Sequence, residues 1–111
     1  MALYNTRTKQ EFEDKVLNSK KTVLVDFWAD WCPPCRAMAP ILHDLGDELD
    51  ENIDIVKVDI EDGAENSALA VEYQISSIPN MHIFKGGKVV DHVIGMVPKL
   101  HLVEVLKQAA K

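Results

Sequence analysis

Two cysteines stand where an apolar segment typical of a buried strand gives way to a helical pattern. The strand-like segment Thr22–Trp28 has apolar residues on both faces, which is the profile of an inner strand covered from two sides. Cys32 and Cys35 follow, separated by two prolines, and the helical pattern begins at about Pro34. A strand that leads directly into a helix favours an open α/β sheet, and such sheets carry their functional sites at the carboxyl edge of the strands.

The rest of the chain alternates helical and strand-like patterns and then ends in a hairpin and a helix. The predicted helices are Thr8–Leu17, Pro34–Leu49, Asn66–Tyr73 and a last one starting near Pro98, and the predicted strands are Thr22–Trp28, Ile53–Asp59, Met81–Phe84 and Val89–Ile94. Gly86 and Gly87 lie between the last two strands, where a glycine pair indicates a hairpin turn. This order predicts an α/β fold with a mixed sheet between helical layers. The 111 residues contain no repeat or linker, so one domain over residues 1–111 is expected.

Local patterns predict how the outer helices begin and which of their residues face inward. Thr8 and Glu11 fit a capping box at the start of the first helix. In the third helix the apolar residues are Leu69, Val71 and Tyr73, and in the last helix Leu100, Val103 and Leu106 are expected to face the core. Pro40 predicts a kink inside the second helix.

The composition limits the kinds of partner this chain can have. Twelve basic and eighteen acidic side chains leave a formal net charge of −6, and an acidic chain repels nucleic acids and anionic lipids. No apolar run approaches the roughly 20 residues that a membrane span requires. Residues 1–7 lack the long apolar stretch of a secretory signal, so the sequence predicts a cytoplasmic protein.

Cys32 and Cys35 fit a redox pair better than a structural disulfide, because a bridge between them closes too small a loop to add much stability. The free N–H groups and positive end of the following helix favour the thiolate of Cys32. Cys35 lies one helical turn later and is expected to point inward. An exposed thiolate attacks a disulfide, and a shielded thiol then resolves the mixed disulfide.

Two other interpretations of the cysteine pair stay open at this point. One is a pair of inert core cysteines, although two prolines at a helix start are unusual for a fully buried pair. The other is a zinc site, which normally needs four protein ligands. The four histidines are dispersed along the chain and no second cysteine pair exists, so the zinc ligands would have to come from distant segments.

Asp26 interrupts the apolar strand that precedes the cysteines. Burial in such surroundings raises the pKa of a carboxyl group, and the group then becomes a candidate acceptor for the proton of the resolving thiol. The alternative is a partly solvated carboxylate at the strand end, or one paired with Lys57 of the neighbouring strand. Further along, Ile78-Pro79 precedes another strand, and general frequencies favour a trans bond there.

Taken together, these residues resemble the thioredoxin family. The segment Val25–Pro40, which reads VDFWADWCPPCRAMAP, resembles the family's active-site stretch. Lys57-Val58-Asp59, Ile78-Pro79, Phe84–Gly87 and Gly95 follow in the family's order and spacing, so the match covers nearly the whole chain. The resemblance implies the thioredoxin fold, with a central mixed β-sheet flanked by α-helices on both faces, and a protein-disulfide reductase activity.

The resemblance also implies roles for individual residues. Cys32 would be the nucleophile and Cys35 the resolving thiol, while Asp26 would accept the proton with Lys57 beside it. Ile78-Pro79 would be cis, against the general frequencies, and would face Cys32. The substrate would contact Trp31, Ile78, Pro79, Gly95 and Met96, while Trp28, Pro33, Pro34 and Pro40 would support the site.

The partners implied by the resemblance are a thioredoxin reductase, which carries a flavin and takes electrons from NADPH, and target proteins that contain disulfides. No cofactor or metal is expected on this chain, and a monomer is expected. A thiol oxidant or isomerase of an oxidising compartment is the alternative with the same fold. A binding module whose contacts are gated by redox state is the alternative from another class.

Three residues depart from the usual pattern of the family. Pro33 stands where glycine is common; it removes an N–H and stiffens the loop, and these changes have opposing effects on the redox potential. Asn80 stands where threonine is usual. His82 occupies a commonly apolar position and is expected to be partly buried and hydrogen-bonded, with a pH-sensing role as the alternative.

Overall fold

The computed structural model describes residues 2–48 and 51–111, in which a five-stranded mixed sheet lies between two layers of helices. The strands are β1 (Leu3–Asn5), β2 (Thr22–Trp28), β3 (Ile53–Asp59), β4 (Asn80–Lys85) and β5 (Lys88–Ile94). The helices are α1 (Lys9–Phe12) with a π-helical continuation (Glu13–Leu17), α2 (Pro33–Glu48), α3 (Ala64–Glu72) and α4 (Lys99–Ala110). The predicted fold class is therefore confirmed.

β2 lies at the centre of the sheet, whose strand order is β1-β3-β2-β4-β5. β1, β3 and β2 are parallel, whereas β4 runs antiparallel to β2 and to β5. In this register Asp26 has Lys57 of β3 on one side and Met81 of β4 on the other. The central strand is covered by helices on both faces, which explains why its sequence is apolar on both.

Two apolar clusters hold the helices against the sheet. The cluster under α2 and α4 contains Leu24, Met38, Leu42, Leu45, Ile53, Ile55, Met81, Ile83, Val93, Leu102 and Leu106. The cluster under α1 and α3 contains Phe12, Val16, Val23, Val25, Phe27, Val56, Val58, Leu69 and Phe84. Because side chains alternate along a strand, Asp26 points to the same face as Leu24, which is the face that α2 covers.

Most predicted elements are confirmed, with shifts at their ends. The strands over 22–28 and 53–59 have the predicted bounds, and the capping box of Thr8 and Glu11 is present with both of its hydrogen bonds. The second helix starts one residue earlier than predicted, and its predicted last residue, Leu49, lies outside the described residues. The third helix covers Ala64–Glu72 rather than Asn66–Tyr73.

The structure contains one strand that was not predicted, and two apolar helix residues do not face the core. Strand β1 was not predicted, because three residues are too few to show a periodicity. Leu100 and Val71 are exposed rather than turned towards the core. In α4 the buried residues are Leu102 and Leu106, and Leu100 precedes Leu102 by two positions, which places it on the opposite side of the helix.

The hairpin between β4 and β5 forms as predicted, through Gly86 and Gly87, which both have positive φ. At Gly87 a Cβ atom would lie 2.8 Å from the carbonyl oxygen of Leu17, so the turn packs directly against the end of the first helical segment. Across the two described ranges, no helix is long and apolar enough to cross a membrane.

Candidate active site

The cysteine pair lies at the carboxyl edge of the sheet, where β2 connects to α2. The N–H of Cys32 donates to the carbonyl of Ala29 (3.2 Å), and the N–H of Arg36 donates to the carbonyl of Cys32 (3.1 Å). These bonds form a tight turn from strand into helix. They place the Cα atoms of Cys32 and Cys35 5.3 Å apart, and a disulfide joins the two side chains.

Both cysteines are buried in the disulfide form, with exposed fractions of 3% for Cys32 and 2% for Cys35. The predicted contrast between an exposed and a shielded cysteine is therefore wrong for this form. The two residues form a small cluster with Ala29, and the partly buried side chains of Trp28, Ile60 and Ile78 pack against it. This cover comes from three separate segments of the chain.

The difference between the two sulfurs lies in their electrostatic surroundings. The N–H of Cys35 donates to Sγ of Cys32 at 3.3 Å. Pro33 and Pro34 form the start of α2 and have no N–H, so the Cys35 N–H is the first one in the helix. It combines with the positive end of the helix dipole to favour negative charge on Cys32.

A turn at Ile78-Pro79 faces Cys32. The peptide bond between them is cis, as the resemblance implies. The carbonyl oxygen of Ile78 lies 3.7 Å from Sγ of Cys32. Gly95, which has a φ of +86°, donates its N–H to the carbonyl of Pro79 at 2.8 Å. The segment after β5 is thereby fixed beside the turn and the cysteines.

The residues predicted to contact substrate differ in exposure. Trp31 and Met96 are 62% and 60% exposed, Ile78 and Gly95 are half-buried, and Pro79 is buried. Trp31 adjoins Cys32 along the chain, and the hydrogen bond from Gly95 brings the segment that carries Met96 to the turn. Two large apolar side chains are therefore available at the surface near the disulfide.

Glu61 is a residue of the site that the sequence did not reveal. The indole N–H of Trp31 donates to the Glu61 carboxylate. Glu61 follows β3, and the backbone there is fixed because the N–H of Ile60 donates to the carbonyl of Trp28 (2.9 Å). Its position just beyond the carboxyl end of a strand parallel to β2 was the available signal.

Asp26 is 1% exposed, and its Oδ1 atom has no hydrogen-bond partner among the described residues. Burial raises the pKa of Asp26 to about 7, although the positive charge of Lys57 lowers it in part. The group can therefore exchange a proton near neutral pH. It points to the face covered by α2, the helix that carries Cys35.

Lys57 is buried beside Asp26, and its ammonium group lies over the ring of Trp28, 4.4 Å from the ring centroid. Trp28 in turn packs against the cysteine cluster. Pro33 and Pro34 form the exposed first turn of α2, and Pro40 lies inside that helix. Within residues 2–48 and 51–111, no group of three or more His, Cys, Asp or Glu side chains could hold a metal ion.

This sheet, with a cysteine pair where its central strand meets a helix, defines a thiol-disulfide oxidoreductase. The family model described as Thioredoxin matches residues 4–108. The chain belongs to the thioredoxin family and reduces disulfides through its Cys32–Cys35 pair.

Known members of the family are similar along almost their whole length. "Thioredoxin" of Pyropia yezoensis is 44% identical over 101 residues, which are 91% of this chain and 92% of the relative. "Thioredoxin 1" of a Nostoc species is 45% identical over the same shares. "Thioredoxin" of Staphylococcus epidermidis is 43% identical over 89% of this chain and 90% of the relative.

Proposed function

We propose that this chain reduces disulfides in target proteins with Cys32 as the nucleophile and Cys35 as the resolving thiol. The assignment of Cys32 as the nucleophile rests on the surroundings of its Sγ atom. It accepts the first N–H of α2 and lies beside the carbonyl of Ile78, at the turn next to the exposed apolar side chains. Cys35 has no such surroundings within the described chain, and it lies deeper in the helix.

The substrate disulfide would dock on the surface formed by Trp31, Ile78, Pro79, Gly95 and Met96. The exposed side chains of Trp31 and Met96 supply apolar contact, which favours binding of an apolar segment of the target. The backbone of Ile78 supports an extended target segment through main-chain hydrogen bonds. Trp28 and the three prolines hold the cysteine turn in place.

The chemistry proceeds in two exchange steps. The Cys32 thiolate attacks one sulfur of the target disulfide, a new S–S bond forms, and the other target sulfur leaves as a thiolate that takes up a proton. Cys35 then loses its proton and attacks Cys32. The mixed disulfide breaks, the second target thiolate leaves, and the Cys32–Cys35 disulfide forms. Two electrons pass from this chain to the target.

Asp26 would accept the proton of Cys35 in the second step. Its pKa of about 7 lets the carboxylate be present at neutral pH and still bind a proton. Lys57 would adjust this pKa, because its positive charge favours the carboxylate. Burial of both groups excludes water that would otherwise screen their interaction.

Disulfide-containing targets and a reductase that regenerates the dithiol are the partners of the family in general. For this chain we infer a flavin-containing thioredoxin reductase that takes electrons from NADPH. The flavin would belong to that partner, and this chain would need no cofactor of its own. It would act as one domain, residues 1–111, and as a monomer in the cytoplasm, where it would take part in electron transport and redox homeostasis.

The test is reduction of a small disulfide-bonded protein by the pre-reduced chain, followed by the appearance of target thiols. Wild type should release two thiols per molecule oxidised, whereas Cys32→Ser should release none. A reduction potential near −270 mV supports a reductant, and a value near −120 mV indicates an oxidant instead. Equal activity of wild type and Cys32→Ser would contradict the proposal.

A further inference from the structure

His82 and His92 face each other across the outer pair of strands. They are register partners on β4 and β5, and their rings meet edge to face with centroids 4.7 Å apart. The His82 ring also contacts Phe27, Tyr73 and Phe84, at centroid distances of 5.4, 5.9 and 6.5 Å. A histidine thus lies inside an otherwise aromatic cluster.

The surroundings of His82 disfavour a positive charge. His82 is 5% exposed, and its Nδ1 atom has no hydrogen-bond partner among the described residues. Burial, and to a smaller extent the neighbouring His92, together lower the pKa of His82 to about 4. The expectation of a hydrogen-bonded side chain is therefore wrong for Nδ1. Because a buried charge without a partner is costly, protonation of His82 at acid pH would destabilise the packing around its ring.

Few other charged or titratable groups approach His82. On its own face of the sheet, β2 presents Val25 and Phe27, and the segment after α3 presents Tyr73 with the exposed Glu72 beside it. Asp26 lies on the opposite face. Asp91 also points to the opposite face of β5, and its carboxylate accepts the N–H of His92 at 2.8 Å. None of these carboxylates is placed to neutralise a charged His82 ring.

β5 is the strand that a charge on His82 would loosen. It is at the edge of the sheet and pairs with β4 alone. Its last residue, Ile94, is the partner of Asn80, and the next residue, Gly95, donates its N–H to Pro79. Movement of β5 away from His82 would therefore shift the segment that carries Met96 beside the cysteines.

We propose that the His82–His92 pair is an acid-sensitive latch that holds edge strand β5, and with it the substrate-contacting segment Gly95–Met96, in place. The neutral rings pack together and keep β5 closed. The His82 ring must reach water to be protonated, and it can do so only when β5 opens. The consequence for substrate binding rests on the function proposed above, whereas the opening of β5 does not.

The difference between the pKa of His82 in the closed and open forms gives the sign and size of the pH effect on the opening of β5. The folded pKa of His82, about 4, lies below its ordinary value of 6.5, so the open form binds protons more tightly than the closed form. The contribution of neutral His82 to the stability of the closed strand is therefore fully present above pH 6.5 and is progressively lost as the pH falls towards 4. Between pH 7 and pH 5, the population of the open strand should increase roughly 20-fold.

The experiment is backbone amide exchange of the oxidised chain by NMR at pH 7 and pH 5, corrected for the intrinsic pH dependence of exchange. In wild type, opening at Asp91–Ile94 should increase roughly 20-fold, while β3 at the other side of the sheet should change little. His82→Leu puts an apolar side chain in the aromatic cluster and should remove the increase. His43→Leu, which removes an exposed histidine of α2, should keep the increase.

The latch proposal would be overturned if the opening of Asp91–Ile94 still increased at pH 5 in His82→Leu. It would also be overturned if that opening did not increase in wild type. If His82→Leu does not fold, titration of the His82 ring in wild type decides instead. A midpoint below pH 5 that coincides with the loss of β5 protection supports the latch, and a midpoint near 6.5 overturns it.

The KM for a protein disulfide provides the functional readout. It should rise between pH 7 and pH 5 more in wild type than in His82→Leu, with equal alkylation rates of Cys32 in both chains. Equal rises in the two chains would overturn the link to substrate binding. Amide exchange at β5 does not depend on reductase activity. Failure of the latch would therefore appear in the amide exchange, whereas failure of the proposed function would appear only in the assay with the protein disulfide.

Discussion

Asp26 and Lys57 lie side by side on adjacent parallel strands, yet the Lys57 ammonium packs over the ring of Trp28, and no salt bridge joins the two charges within the described chain. Lys57 thus influences Asp26 through its field rather than through a direct contact. The Asp26 carboxylate is left buried and incompletely hydrogen-bonded. Its ionisation therefore lowers the stability of the fold.

Substitution of Asp26→Asn should stabilise the protein at alkaline pH. The folded pKa of Asp26, about 7, lies above the ordinary value of 3.8. The stability that neutral Asp26 contributes is therefore fully present below pH 3.8 and is lost as the pH rises through 7. The loss should reach roughly 4 kcal/mol above pH 8. Urea unfolding of the wild type and Asp26→Asn at pH 4 and pH 8.5 measures this difference.

The control for Asp26→Asn is Asp30→Asn, which changes an exposed carboxylate close to the same strand. Its unfolding free energy should follow the pH dependence of the wild type. If Asp26→Asn destabilises the chain by several kcal/mol at pH 8.5, Asp26 is a satisfied structural group and the account of its ionisation is wrong.

Substitution of Lys57→Met should raise the pKa of Asp26 further. Methionine keeps much of the apolar stem against Trp28 but removes the positive charge that favours the carboxylate. The carboxyl resonance of Asp26, followed by carbon NMR across pH 5–10, should titrate at a higher pH than in the wild type. Lys21→Met, just before the start of β2, should leave that titration unchanged. An unchanged titration in Lys57→Met would exclude the influence of Lys57.

The glycines Gly95 and Gly87 should differ in their tolerance of alanine. Both have positive φ, which costs a residue with a Cβ about 1–2 kcal/mol. At Gly95 the new Cβ meets open space, whereas at Gly87 it meets the carbonyl of Leu17, which adds roughly 1–3 kcal/mol for the backbone shift. Urea unfolding should therefore rank Gly87→Ala as the more damaging change. The reverse order would contradict the packing of the hairpin on Leu17.

Removal of the Glu61 carboxylate should free the indole of Trp31. In Glu61→Leu the indole N–H resonance of Trp31 should move upfield, and kcat/KM for a protein disulfide should fall about fivefold, equivalent to a hydrogen bond of about 1 kcal/mol. Glu61→Gln keeps an acceptor oxygen and should behave more like the wild type. The indole resonance of Trp28 is the internal control, and a Trp31 resonance that does not move would show that the contact is not formed in solution.

The central part of the fold could be predicted from the sequence because its patterns are local and strong. β2 and β3 are apolar on both faces over seven residues each, and glycines mark the hairpin between β4 and β5. β1 could not be found this way, because its three residues are a strand only by pairing with β3. The inward face of α4 was misjudged at Leu100, since a spacing of three fits more than one side of a short helix.

The candidate site was predictable as far as the cysteines and the buried acid. Their residue types and the strand-to-helix position determine that chemistry. The burial of Cys32 was not predictable, because it depends on contact with Ile78, 46 positions further along the chain. The contact between Trp31 and Glu61 and the latch between His82 and His92 likewise depend on which loops and strands the topology places together.

Trapping of the mixed disulfide tests most directly whether Cys32 is the nucleophile and Cys35 the resolving thiol. Pre-reduced Cys35→Ser, incubated with a small disulfide-bonded protein and analysed by non-reducing mass spectrometry, should accumulate a covalent adduct through Cys32, because the second step cannot occur. Wild type should show little adduct, and Cys32→Ser should show none. Adduct formation through Cys35 in Cys32→Ser, at the rate seen for Cys32 in Cys35→Ser, would contradict the assignment.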